Sequence, residues 1–191
     1  MTHTSRLARV MRRFLRREEG SILIETVLTL PVLWWAAFSL FMFWDGFQTV
    51  NSLQKATYTV ADIVSRNRSN LSSTDAEGLS DLLDFLTAGE AAPRLRMTSI
   101  QYDEDQDLYS VLWSCSLDAS ALPPLDNGTL QGMADRLPIN ADGATLLVVQ
   151  TEQDFKPVLK LGIDAMTMRE EVIVRPRFVS VLGFTDPANC I

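Results

Sequence analysis

The sequence predicts an α+β fold: a long N-terminal apolar helix that leads into a domain of a second helix and about four antiparallel strands. Three observations predict it. Residues Ser21 to Trp44 form a 24-residue run in which Glu25 is the only charged side chain. Residues 45–68 keep apolar side chains at three- and four-residue spacing. From Leu95 onward the period changes to two, with turn residues between the runs. Helices followed by a succession of strands is the order of an α+β domain.

The apolar run comes first. At 1.5 Å per residue its 24 residues cover about 36 Å, enough for a hydrocarbon layer of about 30 Å. A buried helix of a soluble domain normally keeps a polar face, and a cleaved secretory signal has a shorter apolar core with a small-x-small site after it. The cluster of Trp34, Trp35 and Trp44 fits a helix whose far end lies near a membrane interface. Pro31 sits inside the run, removes one backbone donor and is expected to bend the helix.

Charge is divided along the chain. Residues 1–20 carry six arginines against Glu18 and Glu19, a net of +4, whereas residues 45–191 carry a net of −10. Arginines before the span place residues 1–20 in the cytoplasm and 45–191 outside, as a single-pass protein. An acidic main domain disfavours nucleic acid as a partner, because phosphate backbones need a basic surface.

The remaining elements follow in order. Residues 45–70 read as an amphipathic extension of the membrane helix, with Phe47, Val50, Leu53, Ala56/Thr57, Val60, Ala61 and Val64 on its apolar side, then a linker. Thr74 with Glu77 is expected to form a capping box that opens a helix to about Ala88, with Leu79, Leu82, Leu83 and Leu86 buried and Gly89 ending it. LRMTSIQY and LYSVLWSCSL alternate on either side of the acidic turn Asp103–Asp107 and read as a hairpin. ALPPLDNGT is a loop, and Leu130 to Arg136 a short helix. ATLLVVQTEQDF and REEVIVRPRFVSVL read as two longer strands, joined by a connection with an apolar patch at Val158 to Ile163. No internal repeat is present. The extracytoplasmic domain is thus expected over residues 71–191.

Few residues offer chemistry. The one histidine, His3, precedes the span, so no Ser/His/Asp or Cys/His arrangement and no His-based zinc site can form in the domain. Asp103, Glu104, Asp105 and Asp107 carry calcium-type oxygen ligands but lack the glycine and distal glutamate of an EF-hand loop, so a solvated turn is the expected reading. Glu170 and Glu171 are expected where a strand meets solvent. No Gly-rich phosphate loop is present. The expectation is a protein without catalysis, metal or cofactor. Cys115 and Cys190 both fall in the part expected outside the cytoplasm, where an oxidising compartment favours one disulfide between them.

Glu25 is the residue that needs a reason. An ionisable group in a membrane segment is a functional candidate by default, yet one near the cytoplasmic end can also snorkel to the interface. Gly20 marks the boundary between charged and apolar residues, and Glu25 is the fifth residue after it. A cut between Gly20 and Ser21 would create a positive amine about one helical turn from Glu25, and the amine of one subunit could then pair with the carboxylate of a neighbour.

This arrangement resembles a type IV pilin or pseudopilin signal. More narrowly, EEGSILIETVLTLPVL is similar to the start of TadE/TadG-family proteins, pseudopilin-like components of the tight-adherence (Tad, Flp-type) pilus machinery; Gly20, Glu25 and Pro31 stand as in that family. TLLVVQTEQDFKPVL also resembles their strand-and-loop region. The chain is long and has Thr26 after the glutamate, unlike major Flp pilins, which points to a minor component. The resemblance implies a pilin-like domain on the helix, cleavage by a prepilin peptidase, and residence in a bacterial inner membrane with the domain in the periplasm or in a pilus. It also implies contact with membrane lipid, other pilins and pseudopilins, and the inner-membrane assembly platform. The alternative is a permanently signal-anchored extracytoplasmic binding protein in which Gly20 and Glu25 have no such role.

Overall fold

The computed structural model describes residues 21–87, 91–158 and 164–185. It has the expected α+β architecture: α1 (Ser21–Ser65), α2 (Ser73–Thr87), β1 (Arg94–Asp103), β2 (Leu108–Ser116), α3 (Asn127–Gln131), a 3₁₀ turn at Ala134–Arg136, β3 (Thr145–Phe155) and β4 (Met166–Val174). The strands form one antiparallel sheet in the order β2-β1-β3-β4.

Helix α1 is a single 45-residue helix, about 67 Å long at 1.5 Å per residue. Its last third lies on the sheet. Ala56, Val60, Ala61 and Val64 pack with Leu95, Met97, Trp113, Leu147, Val149 and Val172, which all point to the same sheet face. Closer to the sheet end at Phe155, Leu53 closes a smaller cluster with Phe155 and Met168. The Phe155 ring lies against α1 at Gly46, where a Cβ would meet its Cζ at 3.6 Å, an ordinary contact. Two residues expected on this face are not on it. Phe47 and Val50 are exposed, because Met42, Gly46, Leu53, Ala56 and Val60 define the docked stripe and the two larger side chains fall on its flank. The C-terminal carbonyl of Ser65 accepts the backbone N–H of Arg177 at 2.8 Å, and Asp62 pairs with both Arg66 and Arg177.

Helix α2 packs against α1 and is capped differently from the expectation. The reciprocal bonds join Ser72 and Asp75: Ser72 N–H donates to the Asp75 carboxylate at 2.9 Å, and Asp75 N–H donates to Ser72 Oγ at 3.3 Å. The box therefore sits two residues before Thr74, since an aspartate at the third helical position reaches back as a glutamate does. The buried stripe is Ala76, Leu79, Leu83 and Thr87; Leu86 is exposed and Leu82 half-buried, both displaced to one side of that stripe. Gly89 lies outside the described residues.

The hairpin is as expected, with Asp107 in the left-handed region at φ 51°. The pairing shifts between Ser99 and Ile100, so that Leu112 opposes no residue of β1. The last strand differs: β4 starts at Met166 and stops at Val174, one residue before Arg175-Pro176, because proline cannot donate to the ladder and constrains its predecessor. The segment after it crosses the α1 face instead. Trp113 Nε1–H donates to the Leu182 carbonyl at 2.7 Å, Phe184 lies against the Trp113 ring, and Leu71 bridges to Phe184. The short helix begins earlier than expected, at Asn127, with Asp126 as its N-cap accepting from Thr129 N–H. Its Leu130 and the following Met133 cover Ile100, Leu146 and Val148 on the other sheet face.

Candidate functional site

The candidate site is the part of α1 that no domain covers. From Ile22 to Phe41 the side chains are exposed or half-exposed, and the large apolar ones, Leu23, Val27, Leu28, Leu33, Trp34, Phe38 and Leu40 among them, point outward. Within a stretch of mean hydropathy 1.8, only 6% of residues are buried. Water-exposed apolar surface on this scale is unfavourable at about 25 cal/mol per Å². The helix is long and apolar enough to cross a membrane.

Its polar groups are arranged for an apolar surrounding. The hydroxyl of Thr26 donates to the Ile22 carbonyl at 2.7 Å, and that of Thr29 to the Glu25 carbonyl at 2.8 Å. Both are thereby satisfied within the helix. The Glu25 carboxylate stands apart: it is exposed and forms no ion pair with any described residue. Ser21 opens the helix and Gly20 lies outside the described residues. Glu25 sits about 6 Å along the helix axis from Ser21. Pro31 lies inside α1 without interrupting it.

Cys115 occupies β2 on the helix-covered face, buried and disulfide-bonded. The chain has one other cysteine, Cys190, which lies outside the described residues. The apolar patch expected at Val158 to Ile163 is described only at Val158, which is exposed.

The acidic hairpin turn has carboxylates committed to local bonds. Asp103 accepts the Gln106 N–H at 3.2 Å, and Asp107 accepts the Tyr102 hydroxyl at 2.6 Å. That bond raises the Tyr102 hydroxyl to about 12. Among the described residues, no group of three or more His, Cys, Asp or Glu side chains is placed to hold a metal ion.

One polar constellation was not anticipated. On the sheet face away from α1, Arg94 makes a two-pronged contact with Asp154 at 2.9 and 3.1 Å, and Arg169 pairs with Glu152 at 2.7 Å. Arg96 is buried beside them. Its Nε–H donates to Gln150 at 2.7 Å, and Gln150 in turn donates to Glu171 at 2.6 Å. Glu171 is thus tied into the network, with Arg136 3.7 Å away. Arg94 holds the Asp154 carboxyl down to about 2, while burial lowers Arg96. A groove of about 530 Å³ runs over Arg96, Gln150, Glu152 and Arg169. The signal was present in the sequence as polar residues at every second position of three strands, but only the register brings 94, 96, 150, 152, 154, 169 and 171 to one face.

Compared with protein-family models, with curated proteins and with solved structures, the chain matches none.

Proposed function

We propose that the protein is a minor pseudopilin of the TadE type, anchored by α1 in a bacterial inner membrane and assisting assembly of a Tad/Flp-type pilus used for surface adhesion. The observation that carries this reading is the exposed apolar stretch Ile22–Phe41, holding one carboxylate at Glu25, on a helix whose other end is built into an α+β domain. A helix that is apolar all round is stable only when lipid or other helices surround it. Glu25 then needs a cation at the same depth, and a Ser21 amine exposed by prepilin peptidase on a neighbouring subunit would supply it. The arginine block of residues 1–20 supports an orientation with the domain on the periplasmic side, since basic residues favour the cytoplasmic flank of a span. Function in this reading is lateral helix packing and charge pairing with other pilins, pseudopilins and the assembly platform, without bond chemistry.

The test is the intact mass and N-terminal sequence of the protein from host membranes, with and without the prepilin peptidase. A chain beginning at Ser21 only when the peptidase is present is the expected result. A chain that keeps residues 1–20 in both strains refutes processing and leaves an anchored binding protein. The groove over Arg96 and Glu152 is what favours that second reading.

A further inference from the structure

The domain does not stand clear of the apolar stretch. Met42 is only 1% exposed although Phe41 and Phe43 on either side of it are open, so the domain already covers α1 at Met42. The free stretch Ile22–Phe41 is 20 residues, about 30 Å, which matches a hydrocarbon layer of about 30 Å. At that boundary the chain leaving β3 comes down beside the helix. Phe155 packs beside Gly46, and Phe155, Lys156 and Val158 line one cavity of about 350 Å³ together with Phe41 and Asp45 of α1. Val158 is 72% exposed there.

From this we infer that the β3 exit, Lys156 to Val158, is a second membrane contact: Val158 enters the boundary between headgroups and acyl chains, and Lys156 reaches the lipid phosphates. The inference rests on α1 spanning the bilayer. Given that, depth follows from geometry: β3 runs down α1 from Thr151 at Thr57 to Phe155 at Leu53 and Gly46, and Gly46 is five residues, about 7.5 Å, from Phe41, so the residues that leave β3 lie at the headgroup layer, about 5–8 Å thick on each side. An exposed aliphatic side chain gains from leaving water at that depth, and a lysine keeps its stem in the apolar zone with its ammonium at the surface. The hairpin turn Glu104–Asp107 lies at the opposite end of the sheet, since Arg94 pairs with Glu152 near the β3 exit and Asp103 ends the same strand, about 30 Å away.

The test uses the full chain in nanodiscs of mixed phosphatidylcholine and phosphatidylglycerol, with a nitroxide label at Val158→Cys, Leu28→Cys or Asp105→Cys. Depth is read as the ratio of collisions with oxygen to collisions with a water-soluble nickel complex. The expected ratio at Val158 is several-fold above that at Asp105 and below that at Leu28, with Lys156→Cys between Asp105 and Val158. A Val158 label as wet as Asp105, while Leu28 stays deep, overturns the second contact and leaves the span intact. A wet Leu28 overturns the span and this contact with it.

Discussion

Replacing Leu53 by alanine tests whether α1 and the domain are one rigid piece. Leu53 is 0% exposed and meets Phe155 and Met168 in a small cluster at the Phe155 end of the sheet. Truncation removes three carbon atoms from a site bounded by few residues. Leu→Ala changes at buried sites cost about 2–5 kcal/mol, the upper values where the cavity cannot collapse. Met168 is flexible and can follow the lost volume, so the expected cost is about 2–3 kcal/mol. With a urea dependence of about 1–3 kcal/mol per molar, the midpoint of domain unfolding should fall by about 1–2 M in a mild detergent. Circular dichroism of the full chain measures it, with Leu28→Ala as the control on the uncovered stretch. A loss below about 0.5 kcal/mol for Leu53→Ala refutes the docking of α1 at this point.

Three further outcomes are expected. On the proposed pilus role, Glu25→Gln keeps the shape but removes the charge, so membrane insertion persists while pilus assembly falls at least tenfold, as scored by surface pili; normal assembly refutes the pairing role. Ser72→Ala removes the α2 cap and should cost about 1 kcal/mol, seen as a lower thermal midpoint, with Ser72→Asn recovering most of it. Asp154 has its pKa depressed to about 2, chiefly by the Arg94 hydrogen bonds. A depressed carboxylate contributes stability above its unfolded pKa of about 3.9 and loses it as pH falls through the folded value. Domain stability should therefore drop between about pH 4 and 2, and an Asp154→Asn variant should show a shallower drop across that window.

Much of this protein was legible from local pattern. An uninterrupted apolar run carries its own instruction, because backbone groups in lipid must bond within the helix. Strand alternation marks β1 and β2, while β3 is legible as a run of β-branched and apolar residues, because its first half is covered on both faces. Local pattern was less informative where two candidates were chemically equivalent. Thr74 with Glu77 and Ser72 with Asp75 both satisfy a capping pattern, and the packing of Ala76, Leu79 and Leu83 on α1 selects the second. Phe47 and Val50 fit a helical stripe by spacing, but the docked stripe runs through Leu53, Ala56 and Val60, and these two fall on its flank.

The order of elements, the apolar stretch with its single carboxylate at Glu25, and the division of charge around it are written in the chain's local pattern, because each depends on neighbours in the chain. Tertiary structure alone decided the sheet order β2-β1-β3-β4, the arginine–carboxylate face it assembles, and the height at which the domain grips α1. Those depend on register and side-chain volume between residues up to a hundred positions apart, such as Thr57 and Thr151, whose hydroxyls meet at 2.6 Å across the helix–sheet interface.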